Sequence, residues 1–496
     1  MTGDTSTPVR SRRAPSPASG RWLSVTAWVA PLLATVTFGV WHLTTPALWA
    51  DELATWGAVR VSWSQLWQLS GTVDAVLAPY YAVMKVYTAV AGTSTAALRL
   101  PGLLAFVLTA VVITAIGRRV AGPLAGSVAA LLFVVTPTTS RYAQEARPYA
   151  IVMLLAAIAV LCLIRLVERP SAGRLATYAA VTGLAGALHP LSGLFLLAAH
   201  AVAVVWLQCA KKTDGWPTTL RWLAAAVVGA LPALLLAWWA SGQTAQVSWI
   251  GLVGLSGLQA FPSSLFGSAA VGGLLLVLAL VGLRPEPALV SIAATALIPT
   301  TLMLSAGAVI PIWVPRYALF SLPAIALLAA TAAVRFGRTQ AFLAIGLAVL
   351  LSWPSYVSLR LVDGHGQDSE NIAAVIGPRY RPGDVVVFPD THPSIPWAAR
   401  DIYERYLPAP RPPDVLARTP QRRDGKFLAT ECPNAACLGN PPRIWVVRMD
   451  SPTDPLQDMN PGKRQRINQS YRTVQRFPTK LLVVVLLERK TPTPTR

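Results

Sequence analysis

The sequence predicts an α-helical membrane protein that crosses the bilayer about eleven times and carries a small α/β domain near its C-terminal end. Hydrophobic residues make up 54% of the chain and charged residues only 13%, whereas soluble globular chains carry about 25% charged residues. The apolar residues fall in long blocks that end near residue 358. Beyond that point the chain is rich in Pro, Arg and Asp, so a polar unit is expected there.

The apolar blocks are the predicted membrane spans, and they make up a transmembrane domain at residues 22–358. Each block is near the length that crosses about 30 Å of hydrocarbon as a helix. The basic, Ser- and Pro-rich residues 1–21 are expected to be a disordered cytoplasmic tail, because the first block is too long for a cleaved signal peptide. The spans are expected at residues 22–47, 97–116, 122–139, 148–166, 175–189, 191–208, 222–240, 264–283, 287–306, 317–334 and 339–358.

The distribution of basic residues predicts the orientation in the plasma membrane. With a cytoplasmic N-terminus, alternate short loops face the cytoplasm and each carries arginine or lysine, as the positive-inside rule requires. An odd number of spans then places the C-terminal domain on the extracytoplasmic side. The net charge of +20 is explained by orientation and by anionic lipid, so no nucleic-acid partner is expected.

The first outer loop, residues 49–96, is expected to carry helices that lie in the membrane interface. Trp49, Trp56 and Trp63 recur every seven residues and would share the apolar face of an amphipathic helix. A second apolar helix is expected at 76–91. Membrane anchoring accounts for the tryptophans, and no catalytic role is assigned to them.

The C-terminal domain is expected to be a small α/β unit at residues 359–489, followed by a disordered tail at 490–496. Cys432 and Cys437 lie five residues apart in the sequence, which in an oxidising compartment favours a local disulfide. Short β-branched runs predict strands at 384–390, 443–450 and 480–489, and helical patches occur at 369–377 and 395–406.

Charged residues beside a membrane are costly and therefore mark candidate functional sites. Asp51 and Glu52 follow the first span directly, and a carboxylate in a poorly hydrated cleft can accept a proton. Asp74 precedes the second loop helix, where an N-cap role explains it locally without excluding catalysis. His189 and His392 are weaker candidates, since a lone histidine at a helix end is more often simply hydrogen-bonded.

The segments RYAQEARPYA (141–150) and VPRYALF, which contains Arg316, place arginines on the outer side, against the positive-inside rule. Arg141 and Glu145 are four residues apart and can pair on a helix, while the planar fork of Arg147 or Arg316 suits a phosphate. Acids and arginines at one membrane face fit an amphiphilic substrate with a phosphate at headgroup depth. This set of groups favours glycosyl transfer from a lipid-phosphate sugar.

These residues resemble the motifs of GT-C superfamily glycosyltransferases, in the branch of bacterial polyprenyl-phosphate-sugar transferases related to protein O-mannosyltransferases and aminoarabinose transferases. An acidic pair after the first span is matched by Asp51 and Glu52. The outer-loop element Asp-x-His-Pro-Pro-Leu-Tyr-Tyr is matched only at its ends, and its histidine is missing. The Ala/Arg/Pro-rich composition is typical of actinobacteria. The further matching residues are Asp74, Tyr80 and Tyr81; Tyr142, Glu145, Arg147 and Tyr149; and Arg316 and Tyr317.

The resemblance implies an inverting transfer on the outer face of the membrane. Asp51 would be the general base, with Glu52 as the alternative, while Arg147 and Arg316, with Tyr317, would hold the departing lipid phosphate. A divalent cation is left open as a cofactor because family members differ in metal use. The supporting or acceptor-binding residues would be Asp74, Tyr80, Tyr81, Arg141, Tyr142, Glu145, Tyr149 and His189.

The substrates are less defined than the reaction. Mannose from a polyprenyl-phosphate carrier is the favoured donor and arabinofuranose the second; the acceptor would be a glycan, a glycolipid or a protein. A transporter or a non-catalytic lipid-binding protein are the alternatives of another class. Transporter sites lie near the bilayer midplane, often in repeated halves, whereas these charges lie at the outer ends of the spans and no repeat is seen.

Overall fold

A bundle of long helices forms most of the molecule. The computed structural model describes residues 17–213, 215–389 and 395–491; His392 and most of the two predicted tails lie outside them. The helices up to residue 358 are α1 (Pro17–Val40), α2 (Ala50–Arg60), α3 (Trp63–Thr72), α4 (Ala78–Ala91), α5 (Thr95–Ala121), α6 (Pro123–Val135), α7 (Pro137–Ala143), α8 (Tyr149–Glu168), α9 (Ala172–Leu188), α10 (Pro190–Cys209), α11 (Trp216–Ala240), α12 (Leu255–Phe266), α13 (Ala269–Val281), α14 (Pro287–Gly307), α15 (Leu322–Arg335) and α16 (Arg338–Ser358).

Fewer helices than the eleven predicted spans meet the length and composition of a membrane span among the described residues. Among the described residues, seven helices are long and apolar enough to cross a membrane, or nine if each of two bent pairs is one span. The pairs are α6 with α7, bent by 73°, and α12 with α13, bent by 87°. These breaks fall at Pro137 and at Gly267, which has a φ of 78°. A helix occupies every predicted position. Two of these helices are too short to count as spans: α9 has 17 residues, and the described apolar part of α1 is Thr26–Val40.

The outer loop differs from the predicted interfacial helix. It breaks after α2, because Ser62 and Gln65 form a capping box that starts α3. Residues 50–59 of α2 are all buried, Trp56 among them, so membrane anchoring is the wrong explanation for that tryptophan. Trp63 remains exposed, as an anchor would be.

The C-terminal region contains a mixed four-stranded sheet. Its strands lie in the order β1 (Val385–Val387), β4 (Arg443–Arg448), β6 (Leu482–Arg489) and β5 (Tyr471–Thr479). Strand β4 pairs parallel with β1 and antiparallel with β6, which pairs antiparallel with β5. The sequence patterns predicted β1, β4 and β6, but not β5, whose residues are mostly exposed and polar. Cys432 and Cys437 form a disulfide in the structure. The elements are α17 (Asn371–Ile376), β1 (Val385–Val387), α18 (Ala398–Tyr406), β2 (Ala417–Thr419), β3 (Thr430–Glu431), β4 (Arg443–Arg448), α19 (Pro461–Ser470), β5 (Tyr471–Thr479) and β6 (Leu482–Arg489).

One hydrophobic core joins the outer loop to the C-terminal region. It contains Leu53 and Trp56 of α2, Tyr81 of α4, Ile402 of α18 and Trp445 of β4. Burial of such large side chains is the main favourable term in folding, at about 25 cal/mol per Å² of apolar surface. The C-terminal sheet is therefore part of the support of α2.

A close approach across this core involves Gly57 of α2. A Cβ at that position would overlap the guanidinium of Arg422, which is buried and donates to both carboxylate oxygens of Asp401 at 2.8 and 2.6 Å. Because the ion pair fixes Arg422, the guanidinium has little freedom to move aside. Glycine at position 57 thus allows α2 and α18 to pack at this distance.

We expect Gly57→Ala to destabilise the protein by about 1–3 kcal/mol, the usual cost of inserting a methyl group into a packed core. The matched control is Gly71→Ala in α3, where a Cβ would meet nothing within 4 Å and alanine favours the helix by about 0.5–1 kcal/mol. Thermal unfolding of the purified protein in detergent measures both. Equal unfolding midpoints for the two variants would contradict the packing argument.

Candidate active site

Three segments that are far apart in the sequence meet at one end of the bundle. They are the first turn of α2, the turn 144–148 between α7 and α8, and the short 3-10 helix Pro315–Ser321 before α15. Gly102 of α5 allows the second segment to approach, because a Cβ there would lie 3.0 and 3.1 Å from the carbonyl oxygens of Ala143 and Glu145. The sequence predicts that this end faces the outside.

Glu52 and Arg99 form a fully buried ion pair beneath the junction. Arg99 Nε and Nη2 donate to the two carboxylate oxygens of Glu52 at 2.8 and 2.7 Å, and Arg99 Nη1 donates to the carbonyl oxygens of Leu43 and Pro46. Glu52 also accepts the backbone amide of Ala146 at 3.0 Å. Burial disfavours the charged form of Glu52, but the attraction of Arg99 outweighs it and lowers the pKa of the carboxyl to about 2.

Arg99 and His365 are site residues that the sequence interpretation missed. Arg99 had a usable signal: it is an arginine near the predicted outer end of an apolar block, against the positive-inside rule. His365 Nδ1 lies 3.6 Å from Glu52, and nothing in the local sequence distinguishes it. Only the fold brings both residues to Glu52.

Asp51 is adjacent to Glu52 in the sequence but has a different environment. Its Oδ2 atom lies 3.7 Å from Arg147 Nη2 and 3.8 Å from Arg316 Nη2. The atom is buried and accepts no hydrogen bond from any residue that the structure describes. This oxygen therefore faces two guanidinium groups at distances too long for a hydrogen bond.

Each of these two arginines is positioned by a tyrosine hydroxyl. Arg147 Nη1 donates to Tyr81 Oη at 3.1 Å, and Tyr81 Oη donates to Asp74 Oδ2 at 2.6 Å. Arg316 Nε donates to Tyr149 Oη at 3.0 Å. The orientation of both guanidinium groups is thus set by neutral partners, which leaves their positive charge available.

The N-cap role predicted for Asp74 is wrong. Its backbone is in the left-handed region, with a φ of 55°, and its side chain makes no capping hydrogen bond. The carboxylate instead accepts a hydrogen bond from the hydroxyl of Tyr81. Burial raises the pKa of Asp74, and Arg147 offsets the effect only in part.

Arg141 and Glu145 form an ion pair across one helical turn, as their spacing predicts, and Glu145 is fully buried. The guanidinium of Arg141 lies over the ring of Trp49, 5.0 Å from its centroid, and that of Arg316 lies over the same ring at 5.9 Å. Trp49 is therefore a site residue, although the sequence assigned it only to the membrane surface. Burial raises the pKa of Glu145 to about 7, and the attraction of Arg141 offsets this only in part.

The remaining predicted residues form an aromatic group beside the arginines. Tyr149 lies 5.2 Å from Tyr142 and 5.7 Å from His189, and His189 lies 4.7 Å from Tyr317, measured between ring centroids. His189 Nδ1 accepts the backbone amide of Ser192 at 3.2 Å and so caps α10, which explains this histidine locally. Tyr80 is buried beside Tyr81. Trp249, which the sequence analysis did not single out, has its ring 5.3 Å from the Arg316 guanidinium.

The site's acids do not form a set that suits a divalent cation. Glu52 is paired with Arg99, Glu145 with Arg141, and Asp51 faces two arginines. Mg²⁺ and Ca²⁺ need several oxygen ligands directed at one point. No group of three or more His, Cys, Asp or Glu side chains arranged to hold a metal ion occurs among the described residues.

Comparisons with known proteins agree with this architecture. Residues 76–239 match the family model described as dolichyl-phosphate-mannose-protein mannosyltransferase. The chain resembles the crystal structure of ArnT from Cupriavidus metallidurans in the apo state, at 14% identity with a TM-score of 0.57. The matched region covers 95% of this chain and 98% of ArnT. For ArnT bound to undecaprenyl phosphate the identity and coverage are the same and the TM-score is 0.53. No curated protein matches the sequence.

These likenesses establish the fold. Both comparisons with ArnT extend over nearly the whole of each chain, so they include the helix bundle and the C-terminal sheet. The chain has the fold of ArnT: it is a polytopic helical membrane protein with a small C-terminal region that contains strands.

Loss of the Glu52–Arg99 ion pair should lower the free energy of unfolding strongly. Arg99→Met leaves Glu52 as a buried charge without its main counter-ion, for which the expected cost is about 3–5 kcal/mol. The matched control is Arg119→Met at the other end of α5, where the pair with Glu168 is 45% and 41% exposed and is expected to be worth less than about 1 kcal/mol. Thermal unfolding in detergent compares the two. A stable Arg99→Met protein would show that the pair does not hold the junction.

The raised pKa of Glu145 predicts a pH-dependent stability. Its folded-state pKa of about 7 exceeds the ordinary value of 4.5, so the folded state binds the proton more tightly than the unfolded state. The stabilisation that this proton contributes is complete below about pH 4.5 and is lost as the pH rises through about 7. Unfolding midpoints of the wild type should therefore fall over that window, and Glu145→Gln should reduce the fall. The exposed Glu168→Gln should keep the wild-type profile; an unchanged slope in Glu145→Gln would refute the assignment.

Proposed function

We propose that this protein is an inverting glycosyltransferase that moves a sugar from a polyprenyl-monophosphate carrier to a hydroxyl group on the outer face of the membrane. The observation that carries the proposal is the Asp51 carboxylate placed between Arg147 and Arg316. An acid able to take a proton and two arginines able to hold a phosphate thus lie within one small volume. The family match over residues 76–239 and the structural likeness to ArnT bound to undecaprenyl phosphate support this proposal.

Arg147 and Arg316 would hold the lipid phosphate. Both side chains are mostly buried, and both are oriented by tyrosine hydroxyls, so they need little reorganisation to bind an anion. Negative charge on the phosphate grows as the sugar departs. Donors fixed in advance in a poorly hydrated site stabilise such a developing charge most strongly.

Asp51 would be the general base. It would take the proton of the acceptor hydroxyl while that oxygen bonds to the anomeric carbon, and the electron pair of the breaking carbon–oxygen bond would leave on the lipid phosphate. Glu52 is the weaker candidate because Arg99 and the amide of Ala146 already occupy its carboxylate. We assign Glu52 to positioning: it fixes the first turn of α2, from which Asp51 projects.

The sugar would lie among the aromatic residues at this end of the bundle. Trp49, Trp249 and Tyr317 surround the Arg316 guanidinium at 5.3–5.9 Å from their ring centroids. Such rings bury apolar surface, and they can pack on the apolar face of a sugar while their polar atoms bind hydroxyl groups. Mannose is the favoured sugar because of the family match, and arabinofuranose is the alternative. A glycan, a glycolipid or a protein would be the acceptor.

The orientation belongs to the same proposal. Arginine and lysine in alternate short loops support a cytoplasmic N-terminus in the plasma membrane. The site and the C-terminal region would then lie on the extracytoplasmic side, where a polyprenyl-phosphate sugar carries its headgroup at the depth of the arginines. No divalent cation is assigned to the reaction, since the carboxylates are arranged towards arginines.

Incubation of the purified protein with a panel of polyprenyl-phosphate sugars and candidate acceptors tests the reaction. We expect release of polyprenyl phosphate with one member of the panel, at a rate that Asp51→Asn lowers by about 100-fold or more, the usual contribution of a general base.

Arg316→Gln should lower the same rate because the leaving phosphate loses a charged donor, an effect of about 100-fold at sites of this kind. The matched control is Arg60→Gln, whose side chain is 49% exposed at the end of α2 and should retain wild-type turnover. No transfer from any donor, or equal turnover in all three variants, would refute the proposed function.

A further inference from the structure

The Asp51 carboxylate faces both members of the arginine pair, Arg147 and Arg316. Each guanidinium faces the Asp51 Oδ2 atom, at 3.7 and 3.8 Å. Two buried positive charges beside a low-dielectric core require a nearby negative charge. Asp51 provides a negative charge within 4 Å of both guanidinium groups.

Asp51 is held more loosely than the other acids of the site. Glu52 is fixed by arginine donors at 2.7 and 2.8 Å, and Asp74 by a hydroxyl donor at 2.6 Å. Asp51 Oδ2 accepts no hydrogen bond within the described part of the chain. Its carboxylate can therefore rotate away from the arginines without breaking a hydrogen bond at that oxygen, whereas the arginines keep their tyrosine partners.

A lipid phosphate would be the better ligand for the same two arginines. It offers several oxygen acceptors, and a planar guanidinium can donate to two of them at once. Arg147 Nε is buried and has no partner among the described residues, so a donor atom remains for such an acceptor. Asp51 Oδ2 lies within 4 Å of both guanidinium groups, so a phosphate bound to the same two groups would meet the carboxylate.

We propose, on the basis of the proposed function, that the lipid phosphate and the Asp51 carboxylate are mutually exclusive partners of Arg147 and Arg316. Binding of the carrier displaces Asp51 and so frees the base only when a donor is present. After transfer Asp51 holds the proton of the acceptor and is neutral. Transfer of this proton to water returns Asp51 to the charged form, which restores the competition and promotes release of the polyprenyl phosphate.

The test is the equilibrium affinity of undecaprenyl phosphate for the full-length protein in detergent, without a sugar or an acceptor. Asp51→Asn removes the competing charge while it keeps the size of the side chain, so we expect it to bind this lipid about 5-fold more tightly than the wild type or better, the lower end of usual coupling between sites. Asp51→Glu keeps the charge and should stay near wild-type affinity. Undecaprenol, which lacks the phosphate, should not distinguish the three proteins.

Controls separate this inference from the proposed function. Glu404→Gln removes a carboxylate from an exposed pair with Arg60 and should leave the affinity for undecaprenyl phosphate unchanged. If Asp51→Asn unfolds early in a thermal scan, Asp51→Ser replaces it in the comparison. Equal or weaker binding by the neutral variant would overturn the competition even if turnover depends on Asp51; failure of the wild type to bind undecaprenyl phosphate would overturn both.

Discussion

The buried ion pair between Glu52 and Arg99 is the interaction on which the rest of the site depends. It joins α2 to α5, and through Arg99 it also binds the chain that leaves α1. The Glu52 carboxylate also accepts a hydrogen bond from the backbone amide of Ala146, and this bond fixes the turn that carries Arg147. A charge in this position is stable only when it is fully paired. The geometry of the junction is therefore set within narrow limits.

The C-terminal region supports the same helix from the other side. The amide of Leu48 donates to the hydroxyl of Tyr406 at 2.7 Å, the amide of Ala50 donates to Gln367 at 3.1 Å, and Ser369 donates to the carbonyl of Leu48 at 2.8 Å. The amide of Ala50 is one of the groups that the first turn of a helix leaves unpaired, and the two contacts at Leu48 fix the chain that enters α2. The candidate base is thus positioned by residues more than 300 positions away in the sequence, and the C-terminal region contributes to the site through this support of α2.

Charge in the site is divided between fixed and displaceable groups. The pairs of Glu52 with Arg99 and of Glu145 with Arg141 are structural, since each carboxylate is buried against its own arginine. Arg147 and Arg316 are instead oriented by tyrosines. The Oδ2 atom of Asp51 lies 3.7 and 3.8 Å from them and makes no hydrogen bond within the described part of the chain. Under the proposed function, such a division would let the site bind a phosphate while its framework stays unchanged.

The sequence by itself determined the helical membrane fold, three of the strands in the C-terminal sheet, and most of the residues that meet at the candidate site, but not Arg99 or His365. Apolar blocks long enough to span a membrane, and arginines on the side that the positive-inside rule disfavours, are local features of the sequence. They can therefore be recognised without the tertiary structure. The roles of Asp51 and Glu52 could not be separated in this way, because adjacent residues in the sequence share every local property. Only the tertiary structure distinguished the two carboxylates, since Arg99 pairs with Glu52 through contacts between distant segments. The same reason explains why Trp56, periodic with exposed Trp63, is buried: helix α18, whose Arg405 lies 5.6 Å from the Trp56 ring centroid, comes from the other end of the chain.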